Sequence, residues 1–330
     1  MKSPNGSTEK VGVFDDRNEC LTLKTNAKVE GKHELSVSVR NKPVKGSPVR
    51  IQVIPKKGLL CKFGEKGSGV GQLNRPYGVK IVRNDTALVC DHNNNRIQSF
   101  NFNRNYDNMV QFMRLDELQP NDVTVFDDGN IVITDEGRRE ICVCDENGKV
   151  IRFFGKGNIS LPVGIEVNPI NSKLYVVDYG AHCVHIYDQD GNHIKSFGRY
   201  GSKEGEFNRP WFICVDGDGN VYVADGDNHR IQVFDIDGQF MYSFGSQGSG
   251  DGQFDYPRGV AVDKHGYVYV SDSDNNRVVK YEAEGKFVCR VDCEGNGLRS
   301  PYGICVTDDE PFGRVLVVDH GNNCVKVLAQ

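Results

Sequence analysis

The run Asn208-Arg-Pro-Trp-Phe-Ile-Cys-Val-Asp-Gly-Asp-Gly-Asn-Val-Tyr-Val-Ala-Asp-Gly-Asp-Asn-His-Arg-Ile-Gln-Val-Phe-Asp-Ile-Asp-Gly-Gln-Phe-Met-Tyr-Ser-Phe-Gly245 holds four short β-branched or aromatic segments separated by Gly, Asp and Asn. That is the pattern of a four-stranded antiparallel meander. The chain repeats it from Gly58 onward. Six segments end in Asp at the same register: Ala87–Asp91, Ile131–Asp135, Leu174–Asp178, Val221–Asp225, Val268–Asp272 and Leu316–Asp319. The Asp residues are 44, 43, 47, 47 and 47 positions apart. A repeat of about 40 to 50 residues with four strands is a propeller blade. An open stack would leave long edges unpaired at both ends, and closing the ring removes them.

The last repeat stops at Val325-Lys-Val-Leu-Ala-Gln330, which matches only a third strand. Its missing outer strand has a counterpart at the start of the array, where Leu59-Leu-Cys-Lys-Phe-Gly64 matches Met241-Tyr-Ser-Phe-Gly245 and Ile194-Lys-Ser-Phe-Gly198. Leu59 to Phe63 is therefore expected to close the sixth blade. The expected architecture is all-β: residues 1–10 disordered, a partial immunoglobulin-like β segment over 11–57, and a six-bladed propeller over 58–330. In the middle segment, Leu35, Val37 and Val39 and then Val49, Ile51 and Val53 alternate as in a hairpin with one buried face.

With 330 residues and a net charge of −5, the average composition gives no case for indiscriminate nucleic-acid or membrane binding, so any basic surface must be local. There is no long apolar run, and Met1-Lys-Ser-Pro-Asn-Gly-Ser7 lacks the apolar core of a signal peptide. A soluble cytoplasmic protein is expected. The 11 cysteines sit mostly inside apolar runs, as reduced buried thiols do. Neither Cys142-Val-Cys144 nor Cys289-Val-Arg-Asp-Cys293 has zinc-knuckle spacing, and neither a metal nor another cofactor is expected.

The repeat resembles the NHL family, whose Asn-His-Leu signature survives as Asn228-His229-Arg230, with weaker copies at Asn94-Asn95-Arg96, Asn275-Asn276-Arg277 and Asn322-Asn323-Cys324. The second and third units depart, with Arg138-Arg139-Glu140 and Ala181-His182-Cys183. WD-type propellers fit worse, since no Trp-Asp pair ends a strand. The runs Gly31-Lys-His-Glu-Leu-Ser-Val-Ser-Val39 and Pro43-Val-Lys-Gly-Ser-Pro-Val-Arg-Ile-Gln-Val53 resemble the closing strands of a filamin-type repeat. A filamin-like segment followed by six NHL blades is similar to the C-terminal part of a TRIM-NHL protein. That family carries RING, B-box and coiled-coil regions upstream, and residues 1–57 hold one cysteine, too few for a RING. The resemblance implies a binding module directed at RNA and mRNA repression. Its alternative is protein-substrate recognition for an attached ubiquitin ligase. Oligomerisation would come only through the upstream regions.

In a meander blade the connection into the inner strand and the hairpin between strands two and three share a face. The connections end in Pro-x-Gly or a variant, with Tyr77, Asn121, Val163, Trp211, Arg258 and Tyr302 in the middle place. Arg75 and Arg209 precede the proline, and Arg299 lies two before it. The tips add Asn94, Arg96, Arg138, Arg139, His182, His229, Arg230 and Arg277. Rings and guanidinium planes stack on bases at about 1–3 kcal/mol each. The same residues could instead pack between blades or bridge strand ends. The sites expected to bind RNA or a partner are Arg75, Tyr77, Asn121, Arg139, Arg209, Trp211, His229, Arg258, Arg299 and Tyr302. Enzymatic activity is not expected, because His182, His229 and His320 fall on tips of different blades, outside the inner strands where a central metal would need them. A propeller enzyme is the remaining alternative.

Overall fold

The computed structural model describes residues 12–16, 20–24, 31–35, 38–39, 42–43, 49–53, 58–83, 86–102, 110–113, 118–292, 297–307 and 313–329. The expectation of disorder for residues 1–10 lies outside them. The chain divides into two compact units, Met1–Lys56 and Lys57–Gln330. In the first, Gly12–Asp16 pairs antiparallel with Cys20–Lys24, and Ser38–Val39 with Lys42–Pro43. Gly31–Leu35 pairs with Val49–Val53, with Leu35 opposite Val49 and His33 opposite Ile51.

The second unit is a closed ring of six four-stranded antiparallel sheets. The inner strands of blades 1 to 6 are Pro76–Arg83, Pro120–Val125, Pro162–Val167, Pro210–Val215, Pro257–Val262 and Pro301–Val306. Each lies against the inner strands of both neighbours, and blade 6 meets blade 1. The sixth sheet runs Pro301–Val306, Arg314–Asp319, Cys324–Ala329, Gly58–Phe63, so its outer strand comes from the other end of the unit. Val325 pairs with Phe63 and Val327 with Cys61. The described residues contain no α-helix, only short 3-10 turns such as His92–Asn94, Gly226–Asn228 and His320–Asn322.

Alternation along each strand puts one set of side chains between its own blade and the next. Phe63, Val79, Val89, Phe100, Leu316 and Val327 fill the space between blades 6 and 1. The Phe-Gly punctuation belongs to these cores. Gly245 has φ +100°, and a Cβ there would lie 2.4 Å from the Phe254 ring, so glycine lets the crossing loop turn back and plug the next interblade space. Phe254 itself is fully buried.

Two features of the inner strands shape the face. First, every inner strand carries a register shift after its proline: Pro210 pairs with Asp225, but Ile213 pairs with Val223. Trp211 and Phe212 thus oppose one residue, and this bulge turns the middle residue of Pro-x-Gly out of the ladder. Second, the glycine of the motif is a close-approach residue. A Cβ on Gly303 would sit 2.6 Å from the Tyr77 carbonyl oxygen and 2.9 Å from Gly78 Cα, and one on Gly259 would sit 2.2 Å from the Tyr302 carbonyl oxygen. These contacts are with backbone, which cannot swing aside. Gly303→Ala is expected to destabilise the ring by about 2–3 kcal/mol, seen as a lower urea midpoint; an unchanged midpoint would show that the strands separate freely there.

Candidate functional site: the mouth of the central channel

Hydrogen bonds to the anchor Asp residues fix the tips. Asp225 Oδ1 accepts the Asn208 N–H at 2.8 Å, and Oδ2 accepts Asn228 Nδ2 at 2.9 Å and Arg230 Nε at 2.8 Å. Asp91 and Asp272 hold Arg96 and Arg277 in the same way, at 2.6 and 2.7 Å. The three arginines then spend their terminal nitrogens on carbonyls of the crossing loop: Arg96 on Ser68, Gly69 and Gln72, Arg277 on Ser249, Gly250 and Gln253, and Arg230 on Lys203 and Glu206. Their role is to tie loop to blade.

The residue just before the third strand is left-handed at several tips, and there it receives an amide from the next blade. Arg209 N–H donates to His182 Nδ1 at 3.0 Å, Tyr256 N–H to His229 Nδ1 at 3.3 Å, Arg75 N–H to Asn323 Oδ1 at 2.8 Å and Ser300 N–H to Asn276 Oδ1 at 2.8 Å. All eight of these residues have positive φ. His229 is thereby part of a joint between blades 4 and 5, with its ring 5.0 Å from that of Tyr256 and Nδ1 3.4 Å from Asp255.

Over the channel, the structure brings four of the sequence candidates into one cluster. Tyr302 meets Tyr77 edge-on at 5.1 Å and Trp211 at 5.6 Å. The Arg258 guanidinium lies 4.4 Å from the Trp211 ring centroid and 4.2 Å from that of Tyr302. Its buried Nε has no hydrogen-bond partner, so the rings' π faces supply much of what water would. Burial pushes the Tyr77 hydroxyl up to about 12, and Tyr302 is raised for the same reason, so both are neutral donors at ordinary pH.

Arg75, Arg209 and Arg299 are exposed around this cluster. Arg209 also lies 5.8 Å from the Tyr179 ring and 3.6 Å from Asp227. The Arg299 amide is held by Asp319 at 2.8 Å. Asn121 is buried, with Nδ2 donating to the Pro162 carbonyl at 2.8 Å and Oδ1 unpartnered. Arg139 is exposed at the tip of blade 2 and shares no ring or ion-pair contact with the cluster among the described residues.

Three rings join the cluster that the sequence reading did not place there. His320 stacks on Tyr302 at 4.0 Å and 4°, His92 lies 4.4 Å from Tyr77, and Tyr179 meets Trp211 at 5.1 Å. Each is the first residue after an anchor Asp, and that shared column was the available signal. His320 Nδ1–H donates to the Pro76 carbonyl at 3.1 Å and His92 Nδ1–H to the Pro120 carbonyl at 3.2 Å, since a carbonyl can only accept. Burial lowers His320 to about 4, with the Arg258 and Arg75 charges adding to the effect, so its ring is neutral at physiological pH.

Beneath the glycine layer lies a cavity of about 470 Å3, lined by the inner strands. Lys80 Nζ pairs with Glu166 at 2.5 Å, and Thr124 donates to Glu166 at 2.8 Å, linking blades 1, 2 and 3. Asp122 takes a glycine's place in the close-packed layer, where Oδ2 accepts the Ile165 N–H at 3.0 Å. No group of three or more metal-ligating side chains is gathered among the described residues.

Fold and face together define a six-bladed β-propeller with a rigid, arginine-rimmed aromatic surface closing its channel. The NHL repeat matches residues 207–234 and 254–281. The chain is 32% identical over 112 residues to protein lin-41 of Caenorhabditis elegans, covering 32% of this chain and 10% of that protein. It is 32% identical over 145 residues to protein brain tumor of Drosophila melanogaster, covering 42% and 14%. The matched region is thus a small part of either relative's length. A solved structural-genomics protein of unknown function from Bacteroides thetaiotaomicron superposes with a TM-score of 0.68 at 17% identity, covering 97% of this chain and 87% of that one, a likeness of fold alone. NHL repeats are thus present in this propeller, and the curated relatives it matches are TRIM-NHL proteins.

Proposed function

We propose that the channel-mouth face binds RNA, single-stranded or hairpin, and that the chain is the non-catalytic targeting module of a cytoplasmic TRIM-NHL protein acting in mRNA repression. The observation that carries this is the Tyr77–Trp211–Arg258–Tyr302 cluster surrounded by the exposed Arg75, Arg209 and Arg299. Ring faces and a guanidinium accept bases without demanding a sequence, while the rim cations meet phosphates. The face is preorganised by the tip and joint hydrogen bonds, which lowers the ordering cost of binding.

A second reading, a protein substrate handed to an attached ubiquitin ligase, is favoured by the carboxylates Asp227 and Asp255 on the same face. They would repel phosphates and suit a basic segment. Fluorescence anisotropy with a labelled random single-stranded RNA pool and a labelled random hairpin pool separates the two. The expected result is saturable binding that weakens steeply with salt, and an Arg75→Ala, Arg299→Ala double variant whose salt slope falls by roughly two. Both side chains are exposed, so folding should be retained. Binding that is absent or indifferent to this variant would favour the protein substrate.

A further inference from the structure

The outer strand of blade 2, Val150–Phe154, breaks the pattern of its neighbours. Phe153 pairs with Cys142, and in blades 3, 4, 5 and 6 the same register place holds Ser196, Ser243, Arg290 and Lys62. Polar residues suit that place because an outer strand presents one unpaired edge and much of its surface to water. In blade 2 that place holds Phe153, 37% exposed. With Val150 at 40% and Ile151 at 49%, the latter in a place where Ile194, Met241 and Val288 are exposed too, it puts three apolar side chains within four residues. No fifth strand pairs with this edge among the described residues.

Charge surrounds the apolar stretch unevenly. At its upper end the Arg138 guanidinium lies 5.0 Å over the Phe153 ring, with exposed Arg139 beside it in sequence and exposed Lys156 just past the strand. The acidic residues of that end are Glu140 and the buried Asp135, whose carboxylate lies 3.5 Å from Arg138 Nε. At the lower end, Lys149 adjoins Asp145 and Glu146, and the Asp145 carboxylate is occupied by the turn amides of Asn147 and Lys149, each at 2.9 Å. The upper end is therefore net positive, and the lower end, with one lysine against two carboxylates, is net negative.

We propose that this edge is a docking site for an extended segment of a partner protein, apolar at alternate positions and acidic toward the end that meets Arg138, Arg139 and Lys156. Main-chain pairing with the free edge would supply affinity, the exposed side chains would select apolar residues, and the cations would set direction and sign. The site lies on the outer rim of the ring, whereas the aromatic cluster lies on the inner strands. Its occupation is independent of RNA binding at the mouth.

The test is fluorescence anisotropy of the full chain with a labelled synthetic peptide of about eight residues, valine at alternate positions with aspartate and glutamate between them in one half and serine in the other, a length that matches an ordinary strand. The expected result is saturable binding, weakened at least tenfold by Phe153→Ser and by N-methylation of alternate peptide amides, and weakened by Arg139→Glu. Serine occupies the same place in blades 3 and 4, so Phe153→Ser should keep the fold and the RNA affinity. Absence of saturable binding, equal affinity for Phe153→Ser, or equal affinity of the N-methylated peptide would each overturn the proposal. So would light scattering that shows a dimer of the chain abolished by Phe153→Ser, since the edge would then belong to a second copy.

Discussion

Deleting residues 58–64 is expected to lower the melting temperature of the propeller by more than about 10 °C. The deleted segment is the outer strand of blade 6, and its loss strips one side of the pairing from Val325 to Ala329. Phe63 is buried and stacked on Phe100 at 4.7 Å, with Leu60 and Cys61 against the same core. Loss of a buried Phe side chain alone costs about 3–5 kcal/mol. The edge left behind, Cys-Val-Lys-Val-Leu-Ala, would expose buried Val325, Val327 and Leu328 on an unpaired strand, an aggregation hazard. At about 2–4 °C per kcal/mol for a unit of this size, the side-chain loss and the lost pairing together exceed the stated shift. Calorimetry on the shortened chain checks it, and a melt within 2–3 °C or so of the intact chain, on the same scale, would show that the ring is not closed by this strand.

The second large effect is a pH dependence centred on Asp122. Burial pushes its carboxyl up to about 8, with Glu166 reinforcing the shift and the Ile165 and Val123 amides and Lys80 opposing it. The unfolded chain returns it to the ordinary carboxylate range. Between about pH 4 and pH 8 the native state therefore holds a proton that the unfolded state has released, and stability falls as pH rises through that window. One pKa unit corresponds to about 1.4 kcal/mol, so the loss across the window is several kcal/mol. Asp122→Asn keeps an oxygen for the Ile165 amide and removes the ionisation. Urea unfolding near pH 5.5 and pH 8.5, a pair chosen to straddle most of that window, should show the wild type losing stability and the variant losing about 3 kcal/mol less. Parallel losses in the two proteins would remove Asp122 as the cause.

Reading the repeats in columns went far because every blade solves the same packing problem. The Asp register, the spacing and the Phe-Gly punctuation carry the six-bladed ring, and the Pro-x-Gly column names Tyr77, Trp211, Arg258 and Tyr302 as neighbours on one face. What the columns leave ambiguous is which side chains are spent on structure. Arg96, Arg230 and Arg277 sit beside the face in sequence, yet their donors are taken by crossing-loop carbonyls some two dozen residues upstream. Asn121 stands in the same column as Trp211 but is buried on the Pro162 carbonyl.

From sequence alone come the strand pattern, its repeat and four of the mouth residues, Tyr77, Trp211, Arg258 and Tyr302, since these follow from alternation and turn chemistry acting over a few residues. Only the tertiary structure decides that the mouth is a packed cluster rather than an open ring, because Tyr77 of blade 1 meets Trp211 of blade 4 and Tyr302 of blade 6 only on closure. The same holds for the glycine layer beneath it and for the Lys80–Glu166 pair, where residues 86 positions apart are brought to 2.5 Å. These contacts depend on the distance between inner strands, and that distance is set by all six blades at once.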